Sequence, residues 1–148
     1  LVKHRLEKRK IQIEEDIAAD VPLVYGNEEE LGQVLMNLVI NAADAAPEGG
    51  TVRVSVTANA RNGVDYAVED SGSGVPDEIK DRIFDPFFTT KEPGKGTGLG
   101  LAIVHTVVTN HGGQVRVERS ERLGGARFVV ELPPADKQES RRIERSEA

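Results

Sequence analysis

The stretch from Thr51 to Glu69 constrains this chain more than any other. Val52, Val54 and Val56 alternate with polar residues, Arg61-Asn62-Gly63 forms a hairpin turn, and Val64 to Glu69 returns as a second strand. Alternation leaves one face of the pair apolar, and that face has to be covered. Two segments have the spacing to cover it. Leu31, Val34, Leu35, Leu38, Ala42 and Ala45 recur at helical intervals, after Asn27 as N-cap and three acids in the first turn, and Pro47-Glu48-Gly49-Gly50 ends the run. Leu99, Ile103, Val107 and Leu101, Val104, Val108 repeat the pattern up to His111-Gly112-Gly113.

Around these lie Lys10 to Glu14 as a short strand, Pro76 to Phe84 as a short helix, and a glycine-rich, turn-like stretch from Asp85 to Gly98. Two further strands, Gln114 to Arg119 and Ala126 to Leu132, flank a Gly124-Gly125 turn. Adjacent hairpins beside two helices predict an α+β fold. It is a two-layer α/β sandwich, with a mixed, mostly antiparallel sheet and helices on one face, rather than a doubly wound sheet.

At 148 residues the chain suits one core, read as residues 10–133. Residues 1–9 read as a charged linker, and 134–148 as a charged tail whose only large apolar residue is Ile143. The first residues lead into charge, so no signal peptide is expected, and no apolar run approaches the ~20 residues of a membrane span. A net charge of −6 argues against a nucleic-acid surface, and the absence of cysteine removes thiolate metal sites and cysteine nucleophiles.

Three constellations carry chemistry. Asn37, Asn41 and Asp44 form a polar stripe beside an apolar helix face, where oxygen donors could meet a magnesium–phosphate ligand or simply solvent. Asp70-Ser71-Gly72-Ser73-Gly74 follows a strand. A carboxylate there can accept from an exocyclic amine while glycines admit a planar ring, although Asp-Ser-Gly is also an ordinary turn. Gly94-Lys95-Gly96-Thr97-Gly98-Leu99-Gly100 bares backbone N–H groups ahead of a helix N-terminus, which suits a phosphate; it matches neither the P-loop nor the dinucleotide pattern. Between the last two, Ile83-Phe84-Asp85-Pro86-Phe87-Phe88-Thr89-Thr90-Lys91 holds three of the four phenylalanines. These could anchor a lid that brings Lys91 to a terminal phosphate.

In this order, the motifs strongly resemble the GHKL superfamily with its Bergerat ATP-binding fold, and within it the sensor histidine kinases. The matching stretches are Asn37-Leu38-Val39-Ile40-Asn41-Ala42, Asp70 to Gly74, Phe84 to Phe88 and Gly96 to Leu101, and Asp85 to Lys91 is similar to the nitrogen-regulatory class. The resemblance implies ATP as phosphoryl donor and Mg²⁺ held by Asn41, with Asn37 lining the same site. It implies Asp70 on the adenine amine, Gly72 and Gly74 shaping the pocket, phosphate contacts from Gly96, Thr97, Gly98, Leu99 and Gly100, and Lys91 on the γ-phosphate. Hydrolytic members carry a glutamate at the position of Asn37, whose neutral amide is no general base. The resemblance to sensor histidine kinases implies a histidine as the acceptor.

None of His4, His105 and His111 has the acceptor's sequence context, and all three are read as structural. The acceptor is expected on a dimerisation domain joined through residues 1–9, with a response-regulator receiver domain downstream. The isolated domain is expected to be monomeric and cytoplasmic, and a membrane anchor elsewhere in the parent is left open. Asp44 stands where many members have a basic residue. Ala126 stands where a threonine often supports the adenine site, which is expected to weaken nucleotide affinity modestly. Other outcomes open to the same motifs are a regulatory module without catalysis, a GHKL ATPase, and a serine kinase acting on anti-sigma partners.

Overall fold

A computed structural model describes residues 2–89 and 99–135, apart from the side chains of Val2, Lys3 and Arg5. The chain runs α1 (Val2–Lys8), β1 (Gln12–Ile17), α2 (Glu28–Ala45), β2 (Thr51–Ala58), β3 (Val64–Asp70), a 3-10 turn (Asp77–Ile79), α3 (Gly100–Asn110), β4 (Gln114–Arg119) and β5 (Ala126–Leu132). The five strands form one sheet in the order β1-β2-β3-β5-β4, with β1 parallel to β2 and every other pairing antiparallel. The expected mixed, mostly antiparallel sheet is present.

Register explains which face is buried. Val54 pairs with Val68, Val68 with Phe128 and Phe128 with Val117, so one apolar row crosses four strands on the helix side. Val34, Leu38 and Ala42 of α2 and Val104 and Val108 of α3 close over that row without solvent exposure. Each buried Val or Leu contributes about 1.5–3 kcal/mol, and these contacts hold the two helices on the sheet. Leu35 and Ala45, read as core from spacing, face outward instead, and Ala46 is buried at the helix end.

The opposite face carries charge in the same register. Arg53 pairs with Glu69 and Glu69 with Arg127, while Arg127 pairs with Glu118, giving alternating signs across β2, β3, β5 and β4. Asp16 of β1 extends the row through a 2.7 Å contact with Arg53.

Three segments differ from expectation. The first strand spans Gln12–Ile17 rather than Lys10 to Glu14. Residues read as linker form α1, whose Leu6 packs against the core. Arg9 then donates to the carbonyls of Ala43 and Ala46, the second at 2.7 Å, satisfying acceptors that the end of α2 leaves open. Pro76 to Phe84 is not a helix beyond its one 3-10 turn, followed by turns. Most of its backbone bonds span three residues, as in Ile79 N–H to Pro76 and Arg82 N–H to Ile79. That tight winding brings Ile79, Ile83 and Phe84 to the core from a segment too short to sustain an α-helix.

Candidate nucleotide site

The end of β3 places Asp70 on the helix side of the sheet, paired in register with Val52 and 1% exposed. Its Oδ1 accepts from the N–H of Gly72 at 2.9 Å and of Ala126 at 3.3 Å. Its Oδ2 is buried with no hydrogen-bond partner among the described residues, a condition shared only with the Tyr66 hydroxyl. Burial holds the Asp70 carboxyl above the ordinary aspartate range, and the two backbone bonds pull partly the other way. A buried, unsatisfied acceptor costs free energy that a ligand's N–H would recover.

Glycines surround this carboxylate because nothing larger fits. A Cβ on Gly125 would lie 2.2 Å from Asp70 Oδ1, and one on Gly72 would lie 2.4 Å from the carbonyl oxygen of Ala45 at the end of α2. Gly125 also donates its N–H to the Asp70 carbonyl at 3.1 Å. Gly74 takes a φ of +83°, open to glycine at no steric cost. Gly72 and Gly74 were legible as a glycine box. Gly125 was read only as a hairpin turn, and its one sequence signal was the doubled glycine ahead of the last strand. We expect Gly125→Ala to weaken ADP binding at least about tenfold and to lower stability by about 1–3 kcal/mol through overpacking. Calorimetric titration and chemical denaturation check the two parts, and unchanged ADP affinity would remove Gly125 from the site.

The other motifs converge on the same side. Asn37, Asn41 and Asp44 are half-buried on successive turns of α2. The Asn37 amide lies 3.4 Å from the carbonyl of Gly100, tying α2 to the first residue of α3. Leu99, which precedes that helix, supplies no side-chain cap to it. A helix N-terminus is the kind of place where an anion is favoured. Lys91, Gly96, Thr97 and Gly98 lie outside the described residues. Of the phenylalanine segment, Ile83 is buried and Phe84 packs between the rings of His105 and Phe128, at 5.8 and 6.2 Å. Arg82 sits over the Phe88 ring, whereas Phe87 is 73% exposed at a φ of +67°.

Of the histidines, His111 makes a structural link. The Asn27 N–H donates to His111 Nε2 at 3.0 Å, so Nε2 is the unprotonated nitrogen, and Nδ1 carries the proton toward the Val107 carbonyl at 2.7 Å. His111 thereby joins the start of α2 to the end of α3. His105 is exposed on α3 with its ring against Phe84, and His4 is exposed on α1.

Residues 26–136, most of the chain, match the family model described as histidine kinase-, DNA gyrase B-, and HSP90-like ATPase. The chain belongs to this ATPase family. Among its relatives, the sensory histidine kinase/phosphatase NtrB of Azospirillum brasilense is 37% identical over 143 residues, which cover 86% of this chain and 34% of NtrB. The catalytic domain of histidine kinase ThkA superposes with a TM-score of 0.80 at 33% identity, covering 92% of this chain and 87% of that one. Full-length ShkA in complex with AMPPNP gives 0.77 at 34% identity, covering 89% of this chain and 27% of ShkA. The chain is the ATP-binding catalytic domain of a sensor histidine kinase, and it spans between 15% and 34% of the length of curated relatives it matches. No helix among the described residues is long and apolar enough to cross a membrane.

Proposed function

We propose that this domain binds ATP with the adenine amine on Asp70 and passes the γ-phosphoryl group to a histidine on a dimerisation domain beyond residues 1–9. The observation that carries the reading is the buried, unpartnered Oδ2 of Asp70, set among Gly72, Gly74 and Gly125 beside α2. An exocyclic N–H is the donor that such an acceptor lacks. That full-length ShkA, to which this chain is similar, forms a complex with AMPPNP supports a nucleotide ligand.

Asn41 would hold Mg²⁺, with Asn37 nearby, since both present amide oxygens from one face of α2 and Mg²⁺ takes oxygen ligands. When bound, Mg²⁺ neutralises charge on the phosphates. Lys91 would serve the γ-phosphate, and Gly96, Thr97, Gly98, Leu99 and Gly100 would contribute phosphate contacts. Asn37 offers no base to activate water, so ATP persists until an imidazole arrives. The imidazole nitrogen then bonds to the γ-phosphorus, the bond to the bridging oxygen breaks, and ADP leaves. A receiver domain takes the phosphoryl group next, and use of ATP places the domain in the cytoplasm. The core at residues 10–133 acts as the catalytic unit, with 134–148 as its tail.

The test mixes this chain with the acceptor-bearing fragment of its own parent and γ-labelled ATP. Acid-labile, base-stable label is expected on the fragment and none on His4, His105 or His111. Normal ADP binding with no label on the fragment would defeat the kinase reading. Brisk phosphate release without any acceptor would favour an ATPase instead.

A further inference from the structure

Three polar side chains are buried among the described residues: Asp70, Glu69 and Ser120. Asp70 belongs to the nucleotide site; the other two lie on the opposite face of the sheet, yet they bond to the same hairpin. Ser120 Oγ donates to Glu69 Oε1 at 2.9 Å and accepts from the Leu123 N–H at 3.0 Å. The Ser120 N–H donates to the Gly125 carbonyl, and its own carbonyl accepts from the Gly124 N–H, both at 2.7 Å. The other carboxylate oxygen of Glu69 is 3.2 Å from Arg127 and 3.6 Å from Arg53. One serine therefore closes the β4–β5 turn on itself and fastens it to β3.

That turn delivers two of the contacts that orient Asp70, the Gly125 N–H to its carbonyl and the Ala126 N–H to Oδ1. Adjacent residues on a strand point to opposite faces, so β3 grips the turn from both sides, through Asp70 on the helix side and Glu69 on the other. We infer that Glu69 and Ser120 are positioning residues for base selection: they hold the turn so that Ala126 engages Oδ1 and Oδ2 alone is left for the 6-amino group of adenine. The inference rests on the assignment of Asp70 to that amine.

The experiment compares ADP with purine riboside 5′-diphosphate, which lacks the amine, on the whole chain by calorimetric titration. Wild type is expected to prefer ADP. Ser120→Ala is expected to cut ADP affinity about three- to tenfold, the range of one hydrogen bond, with the affinity for purine riboside 5′-diphosphate little changed. Glu69→Gln keeps an oxygen for the serine and is expected to retain the preference, whereas Glu69→Leu is expected to lose it. Thermal unfolding of each variant is recorded alongside. An equal fall for both nucleotides, or an unchanged preference in Ser120→Ala, would overturn the positioning role and reduce the pair to a structural one. No preference in wild type would instead refute the Asp70 assignment itself.

Discussion

Asn41→Ala is expected to lower phosphoryl transfer to a supplied acceptor fragment by about two to three orders of magnitude, the scale of losing one well-placed electrostatic contact to the transferring group. Ground-state ADP binding should fall much less, because Asp70 and the glycine cradle hold the base without help from α2's amides. The effect should depend on magnesium. Wild-type ADP affinity should rise when Mg²⁺ is added, and the affinity of Asn41→Ala should hardly respond. The fold should survive, since Asn41 is half-buried on a face beside, not within, the Val34-Leu38-Ala42 stripe. Transfer at the wild-type rate by Asn41→Ala would remove the residue from the metal site.

Asp70→Asn should act on binding itself. The Gly72 and Ala126 N–H groups require an acceptor at Oδ1. The side-chain amide must therefore turn its NH₂ toward the place of Oδ2, where it meets the adenine amine donor to donor. A fall in ADP affinity of about ten- to a hundredfold is expected, the cost of a lost charged hydrogen bond with a group left unsatisfied. Stability should move the other way. The folded carboxyl is held above its unfolded value by burial, so its contribution to folding is present below the unfolded pKa and is lost as pH rises through the folded one. Asp70→Asn removes that penalty, so the apo domain should be no less stable at neutral pH. ADP affinity of wild type should also drop as pH falls through the raised pKa of Asp70, because protonation turns the acceptor into a competing donor. The profile of Asp70→Asn over that window should be flat. Tight, pH-independent ADP binding by both proteins would separate Asp70 from the base.

Much of this site could be read before any coordinates. Asp70, Gly72, Asn37 and Asn41 lie in short local patterns that an ordinary turn or a solvated helix face would also give, and only their order along the chain, with the resemblance it carries, marks them as candidates. The Glu69–Ser120 bond leaves no such pattern, and Gly125 leaves only the doubled glycine of a turn. Their partners lie about fifty residues away, and the contact exists only because β5 inserts between β3 and β4. Arg9 is similar: a basic residue in a charged run looks solvated until the end of α2 is found above it.

Alternation and turn chemistry by themselves determined β2 through β5, the extents of α2 and α3, and the two-layer class, since strand and helix periods are properties of neighbouring residues. Strand order, the parallel pairing of β1, the docking of α1 and the identity of the buried unpartnered oxygen were decided only by tertiary structure. Those features depend on which distant backbone groups meet, and a local period carries no record of that. Asp70 shows the division most clearly. Its place in the motif marks it as a polar residue at a strand end. The Gly72 N–H of the local turn and the Ala126 N–H, brought in from another strand, both engage one oxygen, and burial among the described residues leaves the other for a ligand.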